Sequence, residues 1–280
     1  GSQVVVFEQS MQDEAAERFE LAADIRPGIE ANQFSLVYQP LISLTDNNVV
    51  GFEALLRWHH PERGNVSPGL FIPLAEANGT IIDLGRWALE TACRQMVHWQ
   101  QDHPTLRNCH VSVNLSASQL EEDGEIDRLI DIVRESSIAP QLLTIELTES
   151  TMTRDPMRTR EQLGALRDMN INIAIDDFGT GVSGLSHLRD LPFDVIKLDK
   201  SYVDTLGVSQ EGTRLVQQII DLATAMGANT VGEGIESSEQ VDTLHQMGCQ
   251  VGQGFYLARP MSHSQIIEWI QARDAGRLVV

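Results

Sequence analysis

Residues 35–57 read SLVYQPLISLTDNNVVGFEALLR, two apolar runs separated by a polar turn. The runs at 35–39 and 49–57 are rich in apolar and β-branched side chains and read as strands. Only eight residues, Leu41 to Asn48, join them, centred on Thr45-Asp46-Asn47-Asn48. A parallel crossover needs about a dozen residues or more, so the two strands form an antiparallel hairpin. Side chains alternate faces along a strand, so Glu53, Leu55 and Arg57 point one way while Ala54 and Leu56 point the other.

Working outward, six further apolar runs have strand character, at 110–113, 143–147, 171–175, 195–198, 230–232 and 250–252. Helical stretches separate most of them. Their start signals are Thr80 with Asp83, Asp155 before Pro156, Ser237 with Gln240, and Ser262 with Gln265. This alternation predicts an α/β fold, a modified TIM-type (β/α)8 barrel whose first strand is antiparallel and whose later strands are parallel. A length of 280 residues suits one such domain, for which about 250 is typical. The barrel is expected over 33–280. Residues 1–32 read as a linker with a leading helix, in which Met11, Ala15, Phe19, Ala22 and Ile25 keep helical spacing until Pro27-Gly28 interrupts it. Gly1-Ser2 reads as a tag remnant, and the leading segment as a junction to an upstream domain.

The chain has 40 acidic and 20 basic side chains, a net charge of −20. Such a balance argues against a nucleic-acid polymer or an anionic membrane as partner. If the substrate is nonetheless an anion, bound divalent cations must offset the repulsion. Cys93, Cys109 and Cys249 show no metal-binding spacing and read as free thiols in a reducing compartment. No apolar run of about 18 residues and no signal peptide is visible, which predicts a cytoplasmic location, alone or as part of a larger membrane-anchored protein.

In barrels of this kind the chemistry lies at the carboxyl ends of the strands. Here those ends carry Glu53 and Arg57, Asn114, Glu146, Asp176-Asp177, Lys197 and Asp199, Glu233, and Gln253. Any one of these has an ordinary explanation: a turn, a cap or an ion pair. Together, four or five carboxylates in one cavity would repel each other unless cations neutralise them. Carboxylate and amide oxygens, without thiolate or imidazole, suit hard ions such as Mg²⁺ or Mn²⁺ better than zinc. His59-His60 sit beside Pro61 without metal-binding spacing and read as structural. The chain has 18 arginines and only two lysines, Lys197 and Lys200. A lysine is a compact ammonium able to hold a water, and the plainer role for Lys197 is a salt bridge with Asp199 or Asp176. For Lys200 a salt bridge is the first reading. The glycines at 179, 181 and 184 suggest a loop or a close approach to a ligand.

These residues spell a known pattern. Glu53-Ala54-Leu55-Leu56-Arg57 resembles the signature of the EAL family, and Tyr38-Gln39-Pro40, Asn114-Leu115-Ser116, Glu146-Leu147-Thr148-Glu149-Ser150, Asp176-Asp177-Phe178-Gly179, Ile196-Lys197-Leu198-Asp199, Glu233-Gly234-Ile235-Glu236 and Gln253-Gly254-Phe255 follow in order. The resemblance runs from about Ile25 to Ala272. It implies a phosphodiesterase that opens cyclic di-GMP to linear 5'-pGpG by in-line attack of a metal-bound hydroxide, with two Mg²⁺ or Mn²⁺ ions. Carried over, Glu53, Asn114, Glu146 and Asp176 resemble ligands of one ion, and Asp176, Asp177 and Glu233 ligands of the second. Lys197 resembles the residue contacting the attacking water, with Glu53 and Glu233 as its catalytic companions. Gln39, Leu55, Arg57, Glu236 and Gln253 resemble positions that hold phosphates, guanines or metal-bound waters. Glu149 resembles the anchor of the glycine-containing loop.

The resemblance also implies a homodimer through the loop after Asp177 and its neighbouring helix, and an upstream GGDEF or sensor domain. The chain departs from the family at Val182, Ser183 and Gly184, where many members read Tyr then Ser-Ser, and at Gly232, Gln250 and Phe255. The altered loop keeps open a second reading, a weakly active or non-catalytic cyclic di-GMP receptor. A third is a barrel enzyme with Lys197 as base, in which Arg57, Gln39 and Asn114 have no natural place.

Overall fold

The computed structural model describes residues 9–153, 155–179 and 191–276. Gly1-Ser2, Gly181 and the loop positions Val182, Ser183 and Gly184, with the dimer contact expected there, lie outside the described residues.

The hairpin is present. Strand β1 (Phe34–Ser43) pairs antiparallel with β2 (Val49–His60), with Gln39 opposite Glu53. The reversal uses Asn47 at φ 58°, a left-handed conformation that Asn tolerates, and the Asn48 amide donates to Asp46 Oδ1 at 3.2 Å. Pro40 lies inside β1 without harm. Tyr38 exchanges both backbone hydrogen bonds with Met261, so the even-numbered residues turn their backbone groups away from β2, and Pro40 belongs to that set.

After a short β3 (Gly64–Val66) on the far edge of β2 come β4 (His110–Asn114), β5 (Leu143–Thr148), β6 (Asn172–Phe178), β7 (Val195–Leu198), β8 (Asn229–Gly232) and β9 (Val251–Gly252). The order β1-β9-β8-β7-β6-β5-β4-β2 closes through the β1–β2 pairing into an eight-stranded barrel. β1 runs antiparallel to both neighbours, and all pairings from β2–β4 round to β8–β9 are parallel. The fold is therefore the modified barrel expected, with β3 as an addition too short to show a periodicity.

The strands alternate as barrel walls must. Val111, Val113, Ile145, Ile173 and Ile175 are buried in the hydrophobic layer beneath the helices. Ser112, Thr144, Glu146, Ala174 and Lys197 face inward, around a cavity of about 290 Å³. Barrel interiors are commonly filled by bulky branched side chains. Here small and polar ones leave space below the mouth.

The helices are α1 (Gln9–Glu30), α2 (Pro68–Asn78), α3 (Ile81–Asp102), α4 (Ala117–Glu121), α5 (Glu125–Ser136), α6 (Glu149–Thr153), α7 (Pro156–Asp168), α8 (Lys200–Val203), α9 (Gln210–Ala225), α10 (Ser238–Gln246) and α11 (His263–Asp274). Asp155 caps α7, and Ser237 with Gln240 and Ser262 with Gln265 form capping boxes. Thr80 does not cap α3. Its backbone is already helical, so its hydroxyl donates to Asn78 Oδ1 at 2.5 Å instead of reaching a first-turn amide. Nor does Pro27 end α1, which continues to Glu30. Leu21 and Ile25 are buried against Phe34, Trp58 and Phe71, and a Cβ on Gly28 would lie 3.1 Å from the Phe34 ring. Tertiary packing outweighs the helix-breaking tendency there. All three cysteines are free and buried. Among the described residues no helix is long and apolar enough to cross a membrane.

Candidate functional site

The carboxyl ends of the parallel strands bring one ammonium into the midst of four carboxylates. Lys197 Nζ on β7 lies 2.7 Å from Glu146 on β5, 2.7 Å from Glu233 after β8, 3.1 Å from Asp176 on β6 and 3.7 Å from Glu53 on β2. Its side chain is 2 % exposed. Of the two plainer pairings Lys197 makes one, with Asp176. Asp199 instead caps α8, accepting from the Ser201 amide at 3.0 Å.

Amides complete the ring. Asn114 Nδ2 donates to Glu53 Oε1 at 3.0 Å, and Gln253 Nε2 to Glu53 Oε2 at 2.7 Å and Gln39 Oε1 at 3.0 Å. Gln39 sits opposite Glu53 in the hairpin and donates to the Ala258 carbonyl at 3.1 Å.

Two consecutive aspartates would point to opposite faces of a regular strand. The β6–β7 register shifts between Ile175 and Phe178, and Asp177 takes φ 52°. This local bulge re-aims the side chain. Carboxylate oxygens of Asp176, Asp177 and Glu233 thereby come within 4.8 Å of one another.

The electrostatics follow from crowding in a desolvated mouth. Burial raises the Glu146 carboxyl well above its ordinary range; Glu53 and Asp176 add to the rise and Lys197 opposes it. Burial likewise pushes Glu233 to about 8, with Asp176 and Glu53 raising it and Lys197 opposing. Asp177 is raised by burial and by Asp176. Glu53 goes the other way: burial pushes it up, but Lys197 and its hydrogen-bond partners outweigh that. Burial disfavours a charged Lys197, yet the four carboxylates hold its pKa well above the ordinary lysine value. Without added positive charge, part of this cluster keeps its protons.

The donor set fits divalent hard cations. It offers carboxylate oxygens from the ends of β2, β5, β6 and β8 and an amide, and Asp176, Asp177 and Glu233 form the group whose oxygens gather closely enough to share one ion. Gln253 Oε1 is buried with no hydrogen-bond partner among the described residues, an acceptor in the wall of the mouth.

Beside the cluster lies a pocket of about 300 Å³, whose walls include Gln39, Leu55, Lys200, Glu236, Gln253 and Phe255. Arg57 is not among its lining residues. Its Nη1 donates to the Leu56 carbonyl at 2.7 Å while the guanidinium feels the Glu53 charge. Glu149, at the start of α6, stands apart and accepts from the Gly179 amide at 2.8 Å. Tyr202 donates its hydroxyl to the Gly179 carbonyl. The sequence carries no local signal for Tyr202, which reaches Gly179 across 23 residues. His59 bonds Asn65 and His60 bonds Asp24, away from the mouth.

The model of the EAL domain matches residues 22–260. The bifunctional diguanylate cyclase/cyclic di-GMP phosphodiesterase MucR of Pseudomonas aeruginosa is 38 % identical over 93 % of this chain and 38 % of its own length. A second protein of that organism, named as a cyclic di-GMP phosphodiesterase, is 37 % identical over 92 % of this chain and 44 % of its own length. The chain thus spans less than half of either relative. Among solved structures, the PaMucR phosphodiesterase in complex with c-di-GMP superposes with a TM-score of 0.83 at 38 % identity, covering 88 % of this chain and 99 % of that one. With the reversed first strand and the acidic strand ends, these matches establish that the chain belongs to the EAL domain family.

Proposed function

We propose that this chain is a cyclic di-GMP phosphodiesterase unit, hydrolysing the cyclic dinucleotide to linear 5'-pGpG with Mg²⁺ or Mn²⁺. The observation that carries the reading is the convergence of Glu53, Glu146, Asp176 and Glu233 on Lys197, with Asp177 and Asn114 adjoining. Asp176, Asp177 and Glu233 would hold one cation, and Glu53, Asn114, Glu146 and Asp176 the other. When bound, such ions acidify a water and neutralise phosphate charge. Their charge also explains how a dianion enters a chain of net charge −20.

The chain's own residues divide the remaining work. The reaction adds the elements of water across one phosphodiester, breaking the P–O bond to the 3' carbon and leaving a 5' phosphate and a 3' hydroxyl. In the metal-free protein the surrounding carboxylates favour a charged Lys197, and its ammonium would serve as a hydrogen-bond donor to developing negative charge. Gln253 Oε1 is free to accept from a bound water or a guanine. Gln39, Leu55 and Glu236 in the pocket wall, with Arg57 near Glu53 outside that wall, would fix the nucleotide, and Glu149 would steady the Gly179 turn beside Asp177. The relatives extend well past this chain, and we read it as one unit of a larger, cytoplasmic signalling protein.

The test is chromatography of cyclic di-GMP incubated with the protein and Mn²⁺, beside a Glu53→Ala control. Linear product that disappears in the control supports the reading. Binding without product points to a receptor, and neither binding nor product refutes both.

A further inference from the structure

The chain's two lysines are three residues apart, and so are the two glutamates of Glu233-Gly234-Ile235-Glu236. The spacings meet. Lys197 Nζ lies 2.7 Å from Glu233 Oε1 inside the mouth, and Lys200 Nζ lies 2.9 Å from Glu236 Oε1 at its rim. Asp204, one turn further along, accepts from the same ammonium at 2.9 Å.

Gly234 explains how Lys200 is held. It sits at φ +64°, and a Cβ there would lie 2.5 Å from Lys200 Cγ and 2.8 Å from Cδ. The lysine methylenes therefore rest on bare glycine backbone, which keeps the ammonium over the pocket although its side chain is 44 % exposed. Among the described residues lining that pocket Lys200 is the one basic side chain, facing Glu53, Asp199, Glu233 and Glu236. An ammonium has three N–H donors. Glu236 and Asp204 take two of them, and among the described residues no acceptor takes the third.

We propose that Lys200 is a substrate-binding residue, donating its third hydrogen to a phosphate oxygen of the cyclic dinucleotide while the other two hold Glu236 and Asp204. The inference rests on the function proposed above. A compact ammonium on a flexible stem suits a seat shared by two carboxylates and a ligand.

The experiment compares the wild-type chain with Lys200→Met and Lys200→Arg. Calorimetry measures cyclic di-GMP affinity in Ca²⁺ and Mn²⁺ affinity without nucleotide, and hydrolysis in Mn²⁺ separates KM from kcat. Loss of one charge-assisted hydrogen bond predicts about tenfold weaker nucleotide binding in Lys200→Met. The loss should fall on KM more than on kcat, with Mn²⁺ affinity unchanged and part of the binding recovered in Lys200→Arg. Wild-type nucleotide affinity in Lys200→Met overturns the proposal. An equal loss of Mn²⁺ affinity also overturns it, because the lysine would then act on the acidic cluster through Glu236. If the wild-type chain binds no cyclic di-GMP, the proposed function itself falls and this assignment with it.

Discussion

Metal binding to this cluster should release protons, and the amount can be worked from Glu233. Its carboxyl is pushed to about 8, so at pH 7 it is about nine-tenths protonated, and at pH 9 about one-tenth. A cation needs the carboxylate, so removing that proton costs about 1.4 kcal/mol at pH 7 and about twice that at pH 6. Mn²⁺ affinity should then rise about tenfold between pH 6 and 7 and level off above pH 8. Glu146, also raised, makes the climb steeper, whereas Glu53, held low, adds nothing in this range. Calorimetry at pH 7 in two buffers of different ionisation enthalpy should count about one proton from Glu233 plus the Glu146 share, and Glu233→Gln should remove the first.

The same shift sets the stability of the metal-free protein. Between its ordinary value of 4.5 and about 8, Glu233 binds more protons folded than unfolded, so stability falls as pH rises through that window. The full fall is of the order of 5 kcal/mol. Lys197, raised above the ordinary lysine value, contributes a constant amount across the window. Thermal melting without metal should therefore drop from pH 5 to 8, and Mn²⁺ should restore more at pH 8 than at pH 5. A flat affinity from pH 6 to 8 with no proton release would refute this account of the cluster.

Three further outcomes are expected. Lys197→Met strips the ammonium from four carboxylates and should destabilise the metal-free chain by about 3–5 kcal/mol at pH 8, less at pH 5, read by chemical denaturation. Gly254→Ala would put a Cβ 2.2 Å from the Ile235 backbone, so the melting temperature should fall by the equivalent of about 1–3 kcal/mol or the chain should fail to fold. Tyr202→Phe removes the hydrogen bond to the Gly179 carbonyl and should cost about 1 kcal/mol with a lower turnover, whereas unchanged stability and rate would make that contact incidental.

Much of this protein is written locally. The eight residues between Leu41 and Asn48 are too few for a crossover, and that alone reverses the first strand. The run at 195–198 coincides with β7, because four apolar or amphipathic residues between polar neighbours have few other options. The acidic mouth was legible for a similar reason: a polar residue ending an apolar run marks a strand tip, and strand tips of such a barrel face one opening. Thr80 and Pro27 show where local signals fail, since neighbouring backbone and packing against Trp58 and Phe34 override them.

Residue types, strand order and the acidic character of the strand ends were thus determined by sequence alone, since each depends on neighbours a few positions away. The tertiary structure decided which charges touch. Lys197 meets Glu53, Glu146, Asp176 and Glu233 from four other strands, Tyr202 reaches Gly179, and a bulge at Asp177 turns two successive carboxylates toward one opening. Those contacts arise only when the barrel closes, because closure brings distant strand tips within bonding distance and fixes the backbone twist that aims them.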